Sequence, residues 1–356
     1  MNVSLVQQFP PTLGNPRNSE GAFLRGKSGE ILFAYSQYAG DSNHDHATCN
    51  VALTVSRDEG LTWSEPRIIA RAKEDFGTQN IMSVSALAQE NGDLSFYFLV
   101  KENDFSTSLA RARSSDGISF VCERCGVGFP RAYYVINNDR LVRTRNGAIL
   151  APAAYITTEQ NRNGGGVPYT ATCLVSHDDG TSFAKAAFDF TTTDRTNVRY
   201  GLQEPGILET ETGFYYWMRT GYGRQYESVS QGALEDLCTP CPSPFTAPPS
   251  PMQIKEYDGV WYAVYNPIPR SNGYETREYA GTWGRTPLVI RRSSDGGATW
   301  GPLNVVEDDP TRGYSYPAMF FTDDRHLLLA YCRGDAADGN NLCRLGIARI
   351  AINEIQ

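Results

Sequence analysis

Ser56-Arg-Asp58-Glu-Gly60-Leu-Thr62-Trp63 returns along the chain as Ser176-His-Asp178-Asp-Gly180-Thr-Ser182-Phe183 and again as Ser293-Ser-Asp295-Gly-Gly297-Ala-Thr299-Trp300. A copy one residue shorter, Ser114-Ser-Asp116-Gly117-Ile-Ser119-Phe120, stands between the first two. The stretch from Ser230 to Cys238 reads as a worn fifth copy without the motif's aspartate and glycine. Aspartate, glycine and a hydroxyl residue in one short run are turn chemistry. The carboxylate accepts backbone N–H bonds, glycine takes the positive φ, and the hydroxyl closes a second side-chain-to-backbone bond. The closing Trp or Phe is then free to pack between sheets. These aspartates are therefore structural, in hairpins between outer strands. Copies recur every ~55–65 residues, enough for one four-stranded blade with generous loops, and the chain has room for about six. The expected fold is all-β: a six-bladed β-propeller of four-stranded antiparallel blades.

Composition fits that reading. With 356 residues, 33 glycines, 20 prolines and short alternating apolar runs, the chain reads as one domain over 1–356, because a repeat fold overrides the two-domain prior of its length. A net charge of −8 argues against a nucleic-acid partner or an anionic membrane surface. No apolar run is long enough to span a bilayer. The start, Met1-Asn-Val-Ser-Leu-Val-Gln-Gln-Phe-Pro, lacks a basic n-region and an apolar core, so a cytoplasmic protein is expected. Cys122/Cys125 and Cys238/Cys241 have the C-x-x-C spacing of zinc ligands, but each pair follows a different repeat copy, in non-adjacent blades. They read as reduced packing cysteines. His44-Asp45-His46 shows no third ligand, so neither a metal nor a cofactor is expected.

Each blade should begin with an inner strand lining the channel and end just after its repeat. Inner-strand candidates are residues 22–25, 81–86, 134–141, 206–209, 252–254 and 316–320. Most are followed by a turn signal and a more hydrophobic strand, as in Asn91-Gly92 before Leu94-Ser-Phe-Tyr-Phe. Residues 2–8 and 345–352, apolar and rich in β-branched side chains, are expected to pair and close the ring. The Pro-rich stretch 240–251 reads as an ordered connection within a blade.

A ligand site in such a ring lies where inner strands converge at one mouth. Polar residues beside those strands are Arg17, Glu204, Arg219 and Tyr314; Arg285 and Asp45 lie in loops. Asn80, Asn138 and Asp139 stand near the ends of the second and third inner strands, as candidates for hydrogen bonds to substrate. The Tyr133-Tyr134 and Tyr215-Tyr216 pairs read as packing.

The repeats, the ring and these six positions resemble the sialidase (neuraminidase) superfamily over essentially the whole chain. In that family the repeat is the Asp box, three arginines hold the substrate carboxylate, a tyrosine attacks the anomeric carbon, a glutamate assists it and a loop aspartate is acid/base. Arg17 precedes Gly29-Glu-Ile-Leu-Phe-Ala, Asp45 lies in the loop before the first Asp box, and Glu204 opens a strand that returns to Arg219 a hairpin later. Arg285 precedes a strand and an Asp box, and Tyr314-Ser315 follows. The resemblance thus implies catalytic Tyr314, Glu204 and Asp45, and substrate-binding Arg17, Arg219 and Arg285; Asn80 and Asp139 are added as substrate-binding candidates from their place at the inner-strand ends alone. The chain departs from the family where Asn18-Ser19 follow the first arginine in place of Ile-Pro. Tyr316 competes with Tyr314, Asp41 with Asp45 and Arg224 with Arg219.

The residue types suit the chemistry. A nonulosonic acid carries a carboxylate on its anomeric carbon, which a planar guanidinium grips bidentately. A carboxylate nucleophile would meet that charge, so a neutral phenol is the better attacker, a known exception to the two-carboxylate pattern. The expected activity is therefore a retaining exo-α-sialidase acting on a sialylated or related acidic glycan. The alternatives are a propeller enzyme for another acidic glycan, such as a uronate-directed lyase, and a non-catalytic glycan-binding propeller.

Overall fold

The repeats make the bonds their residue types foretell. Ser56 Oγ donates to Asp58 Oδ1 at 2.8 Å and accepts the Gly60 N–H at 2.9 Å, while Asp58 Oδ1 takes the Thr62 N–H at 2.9 Å. The same three contacts recur around Asp178 at 2.7, 2.9 and 2.9 Å and around Asp295 at the same lengths. Each motif joins the third strand of a blade to the fourth, and its aromatic packs outward from the turn. Phe183 meets Tyr97 edge-on at 6.2 Å and Trp300 meets Phe245 at 4.8 Å, each across a blade boundary.

The protein's structure, a computed structural model, describes residues 1–162, 168–192, 201–268 and 283–356. Strand β1 (Val3–Phe9) precedes blade one, which is β2 (Asn18–Arg25), β3 (Ile31–Tyr38), β4 (Cys49–Ser56) and β5 (Arg67–Ala70). A short helix, α1 (Ala72–Phe76), leads to blade two: β6 (Ile81–Ala88), β7 (Leu94–Asn103), β8 (Ser106–Ser114) and β9 (Val121–Arg124). Blade three comprises β10 (Gly126–Gly128), β11 (Ala132–Val135), β12 (Val142–Arg143), β13 (Ile149–Thr157), β14 (Thr170–Ser176) and β15 (Ser182–Lys185). Blade four is β16 (Gln203–Glu209), β17 (Phe214–Arg219), β18 (Arg224–Ser230) and β19 (Cys241–Thr246). Blade five is β20 (Gln253–Tyr257), β21 (Val260–Tyr265), β22 (Leu288–Ser293) and β23 (Asn304–Glu307). Blade six is β24 (Ser315–Phe321), β25 (His326–Cys332) and β26 (Leu345–Ala351), with β1 antiparallel to β26 as its outer strand.

This is the expected six-bladed propeller of antiparallel blades. Its second strands are buried on both faces because neighbouring blades cover them, so β3 and β7 read as near-continuous apolar runs. The core is a set of clusters between blades: Leu32, Leu53, Phe96 and Phe98 between blades one and two, and Val264, Ile290, Leu327 and Leu329 between five and six. The expected inner strand at 134–141 is broken. Residues between β11 and β12 leave the ladder, and Asn138 Nδ2 donates to the carbonyls of Gly21 at 2.9 Å and Tyr316 at 3.2 Å, tying blade three to blades one and six. The Asn137-Asn138-Asp139 run supplies amide and carboxylate groups that a plain ladder would leave unused.

Gly180 shows how tightly the repeat meets its neighbour. Its φ is +77°, and an added Cβ would stand 1.9 Å from Tyr97 Oη in blade two. Gly180→Ala is expected to destabilise the protein by about 1–3 kcal/mol, from both the backbone strain and the overpacking. Thermal unfolding measures this, and an unchanged Tm would contradict the contact.

Candidate active site at the convergence of the inner strands

Four inner strands lose register at the same point. The pairing skips between Ser19 and Ala22 in β2, Met82 and Ser85 in β6, Gln203 and Gly206 in β16, and Ser315 and Ala318 in β24. Inside each skip one non-glycine residue takes a left-handed backbone: Glu20 at φ 56°, Ser83 at 64°, Glu204 at 43° and Tyr316 at 56°. Such φ values are costly for these residue types, and bulges re-aim side chains beside functional sites. All four side chains line one cavity of about 330 Å³.

Within it, Tyr316 Oη donates to Glu204 Oε1 at 2.9 Å, and Arg219 Nη1 reaches Glu204 Oε2 at 2.7 Å. The Arg285 guanidinium lies 5.7 Å from the Tyr316 ring centre and 5.0 Å from that of Trp283. Its Nη2 donates to the Pro249 carbonyl at 3.0 Å, while Nε and Nη1 are buried with no hydrogen-bond partner among the described residues. Burial, and then the neighbouring Arg219, lower the Arg285 pKa. Burial and Glu204 push the Tyr316 phenol well above the usual tyrosine range, against the pull of Arg219 and Arg285. Two mutually repelling guanidiniums, one with buried N–H groups to spare, are suited to receive an anion.

Arg17 stands behind this pair. Fully buried, it binds Glu20 Oε1 through Nη2 at 2.9 Å and Asp45 Oδ1 through Nη1 at 2.5 Å, with its Nε on Ser19 Oγ at 3.0 Å. Glu20 Oε2 accepts from Ser83 Oγ at 2.6 Å, and burial raises its pKa against the pull of Arg17. Asp45 sits on the loop between β3 and β4 with its side chain 59% exposed. Loss of solvation works against its charge but is outweighed by Arg17 and Lys101, which hold its pKa at about 2. That loop is fastened from blade two: Lys101 Nζ donates to the Asp45 carbonyl, and Asn80 Nδ2 to the carbonyls of Asp45 at 3.1 Å and Ala47 at 2.6 Å.

The structure thus brings Glu204, Arg219, Arg285, Asp45 and the alternative phenol Tyr316 to one cavity, and leaves Arg17, Tyr314, Asn80, Asn138 and Asp139 outside its described lining. Tyr314 is buried in the core of blades five and six, 6.2 Å from the Tyr331 ring, and the phenol beside Glu204 is Tyr316. The bulge decides this, because the left-handed turn at Tyr316 aims that side chain, not its neighbour two residues back, at the mouth. Arg17 touches the cavity only through the carboxylates it holds. Asn80 positions the Asp45 loop. Asp139 is spent on Lys255 at 2.7 Å and the Met319 N–H at 2.9 Å, joining blades three, five and six. Asp41 is exposed, and Arg224 donates to the Ser243 carbonyl at 3.2 Å; neither lines the cavity. Sequence reasoning did not single out Glu20, Ser83 or Lys101, and took Tyr133 for packing although it lines the cavity. Aligning the bulges finds the first two: Glu20-Gly-Ala, Ser83-Val-Ser, Glu204-Pro-Gly and Tyr316-Pro-Ala share one register.

Among the described residues no three His, Cys, Asp or Glu side chains gather as a metal set. Among the described residues no helix is long and apolar enough to cross a membrane.

Solved structures share this architecture at low identity. A Hadza microbial sialidase superposes with a TM-score of 0.73 at 15% identity, covering 96% of this chain and 67% of its own. A protein of unknown function from Dyadobacter fermentans DSM 18053 gives 0.72 at 15% identity, covering 98% of this chain and 99% of its own. Trypanosoma rangeli sialidase in complex with sialic acid gives 0.69 at 12% identity, over 99% of this chain and 59% of its own. A search of curated proteins by sequence finds no match. The family model of the BNR repeat-like domain matches residues 32–329, spanning the four intact Asp boxes and five of the six inner strands. This chain belongs to the BNR repeat-like domain family.

Proposed function

We propose that this protein is a retaining exo-α-sialidase-like glycoside hydrolase that removes a terminal sialic acid or a related nonulosonic acid. The reading is carried by the chain from Tyr316 through Glu204 to Arg219, with links of 2.9 and 2.7 Å and Arg285 against the same phenol. Arg219 and Arg285 hold the substrate carboxylate. Glu204 takes the Tyr316 proton as the phenol oxygen attacks the anomeric carbon, and Asp45 protonates the departing glycosidic oxygen. In the second half Asp45 takes a proton from water, the water oxygen displaces Tyr316 from the same carbon, and Glu204 returns the proton to the phenol. Two inversions leave the configuration retained. Glu204 also faces the positive charge that builds on the sugar ring in both steps.

Reaction with 2,3-difluorosialic acid tests the assignment. A sugar adduct is expected on the peptide bearing Tyr316, found by mass spectrometry and absent from Tyr316→Phe, and NMR of an ordinary sialoside digest should show the α-anomer first. An ultraviolet-absorbing unsaturated product, or no release of sugar from an aryl sialoside, would overturn the proposal.

A further inference from the structure

Cys238 and Cys241 are both exposed, so the packing role their sequence suggests is not theirs. Cys122 and Cys125, with the same C-x-x-C spacing, show what packing does to such a pair. Cys122 lies against the cluster between blades one and two and Cys125 belongs to that between two and three, so their sulfurs are committed to different interfaces. Cys238 and Cys241 instead stand side by side where the chain enters β19. The Cys238 N–H donates to the Val229 carbonyl at 3.0 Å, and Cys241 pairs with Glu227. Val229 and Glu227 are two residues apart on β18 and share a face. Their separation along the strand, about 6.6 Å, falls within the α-carbon span of about 4.4–6.8 Å that a disulfide bridges. The Cys238 sulfur lies over the strand between those positions, 3.4 Å from the Val229 nitrogen and 3.8 Å from Ser228 Oγ, both donors to it. Buried Leu237 and Ser243 anchor the stretch on either side. Among the described residues no third ligand joins the two thiols, so they do not form a zinc set.

We propose that Cys238 and Cys241 are a modification site: a dithiol that exchanges with a low-molecular-weight disulfide and closes into an intramolecular disulfide. The site stands apart from the hydrolase reading and is tested without turnover. Loss of solvation, and then the Glu227 carboxylate, raise the Cys241 thiol, which makes Cys241 the second thiol to react. The Cys238 thiolate attacks one sulfur of the small disulfide, expels one half as a thiolate and keeps the other half as a mixed disulfide. The Val229 N–H and the Ser228 hydroxyl face the charge on that sulfur before it attacks. Cys241 then gives up its proton, and its sulfur attacks the Cys238 sulfur and releases the second half. The two protein protons end on the two small thiols, and one disulfide is consumed for each one formed. The link pins the entry of β19, the outer strand of the blade that carries Glu204 and Arg219.

Glutathione disulfide is the probe. The folded protein is equilibrated with it, alkylated with N-ethylmaleimide and digested with trypsin. Residues 225–255 leave as one peptide with no other cysteine. That peptide should be lighter than the dithiol form by two hydrogens, carry no maleimide, and recover both thiols with dithiothreitol. Cys241→Ser should stop at the mixed disulfide, with one glutathione held on Cys238. Cys238→Ser should capture glutathione at least about tenfold more slowly, because the remaining thiol is the one that keeps its proton. A parent peptide that stays fully alkylated, or that gathers glutathione without closing the link, would overturn the site. Faster capture by Cys238→Ser than by Cys241→Ser would overturn the order of attack.

Discussion

Tyr316→Phe is expected to lower kcat on an aryl sialoside by about a thousandfold or more, while Tyr314→Phe stays within about twofold of the parent. The two tyrosines are two residues apart, yet their surroundings are opposite. Tyr316 donates to Glu204 at 2.9 Å beside Arg219 and Arg285. Tyr314 is wholly buried among Tyr262, Leu327, Leu329 and Tyr331, and its hydroxyl has no hydrogen-bond partner among the described residues. Phenylalanine at 316 removes the oxygen to which the proposed function gives the attack and leaves the ring in place. Phenylalanine at 314 removes only a buried, unpaired polar atom, so Tyr314→Phe should gain stability, up to about 1–3 kcal/mol. Steady-state kinetics and thermal unfolding of both variants decide the matter. Loss of activity in Tyr314→Phe with retention in Tyr316→Phe would return the nucleophile to the wrong side of the strand and dismantle the site.

Why the sequence leads to Tyr314 first is physical. The fold is legible because the Asp box is local: every bond in it closes within a few residues, so Ser56, Asp58, Gly60 and Thr62 announce their turn without help from the rest of the chain. Glu204 and Arg219 are nearly as local, since β16 and β17 form one hairpin that pairs Gln203 with Arg219. The phenol is not local. Its direction depends on a bulge whose left-handed residue is Tyr316, and regular strand alternation carries no sign of it. The sign is in the comparison between blades, where Glu204-Pro-Gly-Ile and Tyr316-Pro-Ala-Met occupy the same register, as do Glu20-Gly-Ala-Phe and Ser83-Val-Ser-Ala. Arg17 depends on the assembled fold in another way: its partners Glu20 and Asp45 come together only when blade one closes. Asp139 is met by Lys255 and the Met319 N–H from blades five and six, contacts that no local stretch of sequence announces.

Asp45→Asn should cost about 10²–10⁴ in kcat/KM for an alkyl sialoside and far less for an aryl sialoside, whose leaving group needs no proton. The ratio isolates the acid role, since kcat/KM ends at the first irreversible step, before Asp45 acts as a base. The pH dependence has a definite sign. Loss of solvation works against the Asp45 charge, but Arg17 and Lys101 prevail and hold its pKa at about 2 in the empty protein. An acid must be protonated to act, so kcat/KM for the alkyl sialoside should fall about tenfold per pH unit above that value until another group intervenes. Bound sugar covers a side chain that is 59% exposed and sets a carboxylate nearby, and both effects raise an aspartate's pKa. The corresponding limb of kcat must then lie at higher pH than that of kcat/KM. Linkage gives the companion effect on folding: with its folded value below the ~3.9 of an unperturbed aspartate, Asp45 stabilises the protein above that pH and loses the contribution as pH falls towards about 2. Arg17→Lys, which keeps the charge but not the fork between Glu20 and Asp45, should shift the kcat/KM limb upward. Coincident limbs for kcat and kcat/KM, or an equal penalty in Asp45→Asn for both leaving groups, would mean that the proton comes from elsewhere and that the Arg17–Asp45 pair is a fastening of the loop alone.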